Sequence, residues 1–248
     1  VNIGYNASIF GISTNSVCIG TDSGFYGANN SVAIGYNAAN TGDYSVDDSV
    51  IIGYEAGLGE GEYALQKSSV AIGYQAGRVK GENAVASNSI AIGYRAGYYS
   101  FTEGRTQAIS IGYYAGRDYQ HPNTVAIGNQ AGKNTQGTGS VAIGNQAGKT
   151  EQGFQAIAIG NYAGQTGQGT QSVAIGNQAG QTGQGFQAIA IGNQAGQTGQ
   201  GVKAIAIGSQ AGSTGQENDT VAIGSSAGKF NQKRLSVAIG PIAGTNTQ

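Results

Sequence analysis

Short runs of β-branched residues recur along the whole chain, and glycine and polar residues separate each run from the next. The pattern Val/Ile-x-Ile-Gly occurs fifteen times. From Gly112 to Gly240 its final Gly recurs every 16 residues, and the earlier copies, which start at Gly4, are 15 to 20 residues apart. Three residues are too few for a helix, so each copy is typical of a short strand followed by turns.

One strand per period, with no helical segment between strands, predicts that successive copies stack in parallel. We therefore predict an all-β fold, a parallel β-solenoid (β-roll) of about fifteen coils with roughly 16 residues in each. Corresponding residues should then form columns along the stack. One column is Gln120, Gln136, Gln152, Gln168, Gln184, Gln200, Gln216, Gln232 and Gln248; a second is Asn129, Asn145, Asn161, Asn177 and Asn193; and a third is Tyr5, Tyr36, Tyr54, Tyr74, Tyr94 and Tyr113.

Side chains alternate along a strand, so Val141 and Ile143 should face one way and Ala142 the other. The second side is small and mostly apolar in nearly every copy, which indicates close packing on both sides. Burying Val or Ile contributes roughly 1.5 to 3 kcal/mol, whereas ordering each residue of a coil costs roughly 1 to 2 kcal/mol. We therefore expect companion chains to cover the alanine side in a homotrimer, with a monomeric solenoid as the alternative and end-to-end filaments as a variant.

Composition excludes several other classes of protein. The chain has 12 Lys and Arg against 13 Asp and Glu, so it carries no broad positive field for nucleic acid. His121 and Cys18 are the only residues of their types, which argues against a zinc site within one chain and against a Ser-His nucleophile. No apolar run approaches the roughly 18 residues of a membrane span. We expect no enzyme activity and no cofactor, and we expect Cys18 to be a buried thiol.

The two halves of the chain differ in their loops. All but one of the 14 Tyr residues precede residue 120, and the early copies carry insertions between strands. We predict a solenoid with Tyr-rich, charged loops over residues 1–118 and a regular shaft over 119–248, as one continuous structural unit. Aromatic and charged loops at one corner of successive coils suggest a lateral receptor-binding patch. Its candidate residues are Tyr63, Arg78, Lys80, Tyr98, Tyr99, Phe101, Arg105 and Tyr119.

The segment Ser140-Val141-Ala142-Ile143-Gly144-Asn145-Gln146-Ala147 and its copies resemble the head repeat of YadA-like trimeric autotransporter adhesins. Similar repeats occur in phage and giant-virus fibre proteins. The resemblance implies a trimeric, left-handed parallel β-roll displayed on a cell or virion surface. The chain departs from the adhesin head in the second arm of each coil, where Gln165-Thr166-Gly167-Gln168-Gly169 replaces an arm of Ala and Gly.

These features predict an extracellular structural or adhesive fibre, on a virion or a cell surface, that binds itself and a host-surface glycan or protein receptor. The alternative is a monomeric solenoid that binds ice or another surface. That alternative depends on a single column of threonines, Thr150, Thr166, Thr182, Thr198 and Thr214.

Overall fold

The computed structural model describes residues 1–10, 14–41, 46–60, 67–80, 87–98 and 106–246. Within these ranges the chain forms short strands and turns and no helix, so the all-β prediction is confirmed. The chain divides into two compact units, Val1–Ile127 and Gly128–Gln248. The predicted boundary between residues 118 and 119 separates two types of loop rather than two compact units, and it stays a prediction.

The first unit contains strands that recur once per repeat and shorter strands between them. In chain order they are β1 (Asn2–Ile3), β2 (Val17–Ile19), β3 (Ala28–Asn29), β4 (Val32–Ile34), β5 (Val46–Asp47), β6 (Val50–Ile52), β7 (Gly59–Glu60), β8 (Val70–Ile72), β9 (Val79–Lys80), β10 (Ile90–Ile92), β11 (Ile109–Ile111), β12 (Asp118–Gln120) and β13 (Val125–Ile127). The repeat strands form a parallel sheet in the order β1-β2-β4-β6-β8-β10-β11-β13, and β3 pairs with β5 and β7 with β9, also in parallel.

The second unit has two strands in most coils. They are β14 (Asn134–Gln136), β15 (Val141–Ile143), β16 (Thr150–Gln152), β17 (Ile157–Ile159), β18 (Thr166–Gln168), β19 (Val173–Ile175), β20 (Thr182–Gln184), β21 (Ile189–Ile191), β22 (Thr198–Gln200), β23 (Ile205–Ile207), β24 (Thr214–Gln216), β25 (Val221–Ile223) and β26 (Val237–Ile239). The odd-numbered strands and β26 form one parallel sheet, and the even-numbered strands from β14 to β24 form the other.

Equivalent residues of successive coils pair with one another, as the repeat predicts. Ala142 lies opposite Ala158, and Ile143 lies opposite Ile159. The same register holds in the first unit, where Ala71 pairs with Ala91 although the coil is longer there. The insertions therefore leave the strand register unchanged, and the predicted parallel β-solenoid is confirmed.

The interior of each coil holds the small side chains. The middle residue of every repeat strand from β2 onward is buried, and Ala142, Ala158 and Ala174 are completely buried within a single chain. Our expectation that companion chains cover the alanine side is therefore wrong. The flanking Val and Ile residues point outward, because alternation along a three-residue strand puts them on the opposite side.

The Gly that ends each strand is required by the stacking of the coils. Gly176 has a φ of +127°, and a Cβ built on it would lie 2.6 Å from the carbonyl oxygen of Gly192 in the next coil. Both the backbone angle and the close approach exclude other residues, because L-residues rarely adopt this φ and the neighbouring atom belongs to the main chain. This explains why the final Gly of the Val/Ile-x-Ile-Gly pattern, called the landmark Gly below, is present in every copy.

A ladder of glutamines fills the interior of the second unit. The Nε2 atom of Gln200 donates to the carbonyl oxygens of Ile189 at 2.7 Å and Ala204 at 3.1 Å, and also to Oε1 of Gln216 at 3.3 Å. Nε2 of Gln184 makes the equivalent bonds to the carbonyl oxygens of Val173 and Ala188 and to Oε1 of Gln200. The predicted Gln column is thus confirmed from Gln120 to Gln232, whereas Gln248 lies outside the described residues. Its amides join the two sheets of a coil, and several also join successive coils.

Serines take a similar role in the first unit. Four positions before the landmark Gly, the hydroxyl of one coil accepts a hydrogen bond from the backbone N–H of the equivalent residue in the next coil. The pairs are Ser16 with Ser31, Ser31 with Ser49, Ser49 with Ser69 and Ser69 with Ser89, at 3.0 to 3.3 Å. This buried column compensates main-chain donors that the longer coils leave away from the strand ladder.

Replacing the landmark Gly should destabilise the fold much more than replacing a Gly elsewhere in the same coil. For Gly176→Ala we expect a loss of about 3 kcal/mol or more, because strain and a main-chain clash add together. For the control Gly183→Asn, at φ +67° with no atom nearer than 3.9 Å to the added Cβ, we expect about 1 kcal/mol. Thermal or denaturant unfolding measures both, and equal losses would contradict the role of the landmark Gly.

Removing one amide from the buried ladder should cost more than removing an exposed one. We expect Gln200→Met to lower the free energy of unfolding by about 1 to 3 kcal/mol, because it orphans buried hydrogen-bonding groups at nearly constant volume. The control is Gln187→Met, whose exposed amide donates to Gln171 at 3.1 Å and should matter by less than about 0.5 kcal/mol. Similar unfolding midpoints for the two variants would contradict a stabilising ladder.

Candidate functional site

Outward-facing Val and Ile residues form an apolar face on the repeat sheet. In the second unit Ile159, Ile175, Ile191 and Ile223 are each 36% or 37% exposed. Phe154, Phe186 and Val202, which precede the strands at one position of the coil, are also exposed. A regular apolar face of this extent is typical of an interaction surface rather than of a solvated sheet.

The first unit carries a column of stacked tyrosines directly after the landmark Gly. Neighbouring rings have centroids 5.1 to 5.4 Å apart and planes within 18° of parallel, and the column consists of Tyr36, Tyr54, Tyr74, Tyr94 and Tyr113. Each of these rings is 39% to 46% exposed. Thr21 takes this position in the coil between Tyr5 and Tyr36, so it interrupts the predicted column.

A polar network lies beside the tyrosines, one position further along each coil. Oε2 of Glu55 accepts hydrogen bonds from Nε2 of Gln75 and from Nη1 of Arg78, each at 2.7 Å. Nε of Arg95 donates to Oε1 of Gln75 at 2.7 Å, and its guanidinium lies 4.9 Å from the ring centroid of Tyr98. The network therefore runs across three coils and neutralises the Glu55 carboxylate with Arg78.

Charges and hydrogen bonds next to the column shift the pKa values of its phenols. The Glu55 carboxylate raises the pKa of Tyr54 by electrostatic repulsion of the phenolate. The hydrogen bond between Tyr113 and Tyr114 raises the pKa of Tyr113 and lowers that of Tyr114. Tyr54 therefore stays protonated at neutral pH, and its hydroxyl can both donate and accept a hydrogen bond.

The structure locates part of the predicted receptor-binding patch. Arg78 and Tyr98 lie together, with the guanidinium 5.6 Å from the ring centroid, but Tyr98 is only 9% exposed and the Arg78 side chain only 15%. Lys80 ends β9, and Tyr119 is half exposed on β12. The other candidates, Tyr63, Tyr99, Phe101 and Arg105, lie outside the described residues.

The second unit presents uncharged polar columns instead of tyrosines. Asn145 donates from Nδ2 to Oδ1 of Asn161 at 2.9 Å, and Asn193 does the same to Asn177 at 3.3 Å. These asparagines occupy the position that Tyr holds in the first unit. On the other sheet, Thr166, Thr182 and Thr198 are exposed and aligned by strand pairing.

The described ranges contain no group of three or more His, Cys, Asp and Glu residues that could hold a metal ion. They also include no helix with the length and apolar composition needed to cross a membrane. Cys18 is buried in the interior of the first unit, as the sequence predicts.

The strand-Gly core, with Ala inside and Val and Ile outside, is the feature that comparison with known families detects. Two stretches of the chain match the family model of the YadA head domain repeat. They are residues 27–46 and 122–147, which include Val32-Ala33-Ile34-Gly35 and the two copies around Gly128 and Gly144. The resemblance to the YadA head repeat is therefore confirmed. Among curated proteins, none matches the chain.

Sequence reasoning missed two features of the surface and the interior. The polar network of Glu55, Gln75 and Arg95 was not predicted, although each residue lies two positions after a landmark Gly. The Ser column was also missed, although its members are four positions before the landmark in successive copies. Aligning the copies on that Gly and reading every column would have found both.

Proposed function

We propose that the chain is a segment of an adhesin-type surface fibre, on a cell or a virion, in which three copies pack through their outward Val and Ile faces. The observation that carries this proposal is the apolar face itself, with Ile159, Ile175 and Ile191 each more than a third exposed in a single chain. The YadA head repeat supports the same arrangement, because proteins with that repeat are surface adhesins.

Packing around a shared axis also accounts for the division of side chains in each coil. In the second unit the interior is filled mainly by Ala and amides, so the Val and Ile residues that flank the middle of each strand add little to the core of a single chain; in the first unit Val46, Ile51 and Val79 are buried. Burying a Val or Ile side chain contributes roughly 1.5 to 3 kcal/mol, so covering a column of them is a strong drive for association. A trimer would use this surface, and a left-handed roll is what the resemblance implies.

Two charges on the apolar face should dissociate the trimer. We expect Ile159→Glu with Ile191→Glu to sediment as a monomer, because like charges from three copies would meet at the axis at a cost of several kcal/mol. The control is Thr166→Glu with Thr198→Glu, which adds equal charge to exposed positions of the other sheet and should remain trimeric.

Analytical ultracentrifugation of the unsubstituted chain provides the decisive comparison. A stable, folded monomer at micromolar concentration would contradict the trimer. If that monomer also produced thermal hysteresis, the exposed Thr column would support the ice-binding alternative instead.

We further propose that the loops of residues 1–118 form the receptor-binding patch, with Tyr119 at its border. The support is chemical: Tyr and Arg offer contact area with polar groups at little entropic cost. Arg78 and Tyr98 would contribute little contact area of their own, since both are largely buried.

Shortening the loops to the length of a regular coil should abolish attachment to a host surface and preserve the fold. The test replaces residues 58–69 and 78–89 by the arm Gln-Thr-Gly-Gln-Gly and its flanking residues from the second unit, and measures cell or matrix binding. Tyr119→Ala is a milder variant that should weaken attachment. Unchanged attachment of the shortened chain would overturn the loop patch.

A further inference from the structure

The tyrosine column is not required by the packing of the coils. The same position holds Asn in five coils of the second unit, where the strands, the landmark Gly and the buried alanines are unchanged. Asparagine side chains stack there through amide hydrogen bonds, as between Asn145 and Asn161. Five aromatic rings that keep 39% to 46% of their surface exposed therefore point to a use other than folding.

The rings overlap only in part. Their centroids are 5.1 to 5.4 Å apart, more than the about 3.5 to 4.0 Å between carbon atoms in contact, and each ring keeps 39% to 46% of its surface exposed. Each ring consequently leaves part of one face uncovered beside a hydroxyl. The column presents a straight, periodic series of apolar facets and hydroxyl groups, repeated once per coil.

An extended β-linked polysaccharide has the complementary form. Its sugar rings offer apolar C–H faces and a rim of hydroxyls, and each sugar advances the chain by about the spacing of adjacent strands, roughly 5 Å. We propose that the column Tyr36, Tyr54, Tyr74, Tyr94 and Tyr113 binds an uncharged, extended β-linked polysaccharide, with successive sugars along successive coils.

The surroundings of the column favour an uncharged ligand. Glu55 is paired with Arg78, and the guanidinium of Arg95 lies against the rings of Tyr94 and Tyr98 and donates to Gln75. Beyond the neutral Glu55–Arg78 pair, the described side chains beside the rings thus carry one positive charge, that of Arg95, which lies against aromatic rings. One cation for five rings is too few to match an acidic polymer with a charge on every sugar. The column and the loop patch have no residue in common, so the variants that test one leave the other unchanged and either proposal can fail alone.

Repetition predicts how affinity depends on ligand length. Each facet alone binds weakly, but a ligand that spans several facets engages the later ones at high effective concentration. For oligomers of glucose or N-acetylglucosamine titrated into the full chain in its own oligomeric state, the affinity should rise steeply up to the length that covers the five rings and then level off. Added salt should leave it unchanged, as expected for an uncharged ligand.

The chain has Tyr at this position in some coils and Asn in others, so exchanging the two residues gives matched variants. Tyr54→Asn, Tyr74→Asn and Tyr94→Asn together convert three coils to the form of the second unit and should weaken binding about tenfold or more. Conversely, Asn145→Tyr, Asn161→Tyr and Asn177→Tyr should create a second column and add binding sites for the same oligomers. Isothermal titration calorimetry gives both affinity and stoichiometry, and circular dichroism checks the fold.

Several results would contradict the proposed polysaccharide-binding site. They are the absence of saturable binding at every length, full binding by the triple Asn variant, and binding of acidic polysaccharides alone with a strong dependence on salt. Binding that appears only after Ile159→Glu with Ile191→Glu dissociates the trimer would assign the column to contact between copies. If the triple Asn variant failed to fold, an unchanged stoichiometry in the triple Tyr variant would still reject the proposal.

Discussion

The two sides of each coil in the second unit lie so close together that only small or flat side chains fit between them. A Cβ added to Gly164 would lie 3.2 Å from the Cβ of Ala158 and 2.7 Å from the amide carbon of Gln168. Interiors of this width accept mainly Ala, Gly, Ser and an extended amide, and the buried Thr220 is the largest branched side chain among them. The bulky residues of each strand must therefore face outward, and a single coil has an apolar surface and a partly polar interior.

The repeat itself supplies most of the hydrogen bonds of the polar interior, although the buried oxygens Ser140 Oγ, Gln152 Oε1 and Gln184 Oε1 have no partner among the described residues. The Gln200 amide donates to two carbonyl oxygens of neighbouring main chain and to the next glutamine, so burial does not leave its N–H groups without acceptors. In the first unit serine hydroxyls serve the same purpose with shorter reach. The two units thus solve one problem, compensating main-chain groups in a narrow space, with different side chains.

Much of the fold follows from the sequence because a local pattern that is weak in one copy recurs in every coil. A single Val-Ala-Ile-Gly is ambiguous, but fifteen copies in register leave one arrangement. The side on which the alanines lie was predicted wrongly, because alternation assigns Val141 and Ala142 to opposite sides without stating which is inside. Only the close approach of Ala158 and Gln168 to Gly164 across the coil decides that question. The Tyr column could be predicted from spacing, whereas the Glu55–Arg78 pair depends on side-chain directions that the 16- to 20-residue periods do not encode.

The near identity of the coils between residues 152 and 202 has an evolutionary consequence. Each coil there meets nearly the same alanine, glycine and glutamine neighbours above and below, so adding or deleting one whole period changes few contacts. The exception is the corner position, which alternates Phe154, Thr170, Phe186 and Val202. Genes that gain or lose such periods would yield shafts of different lengths that remain folded. The length of the solenoid would thus change while the contacts within the other coils stay the same.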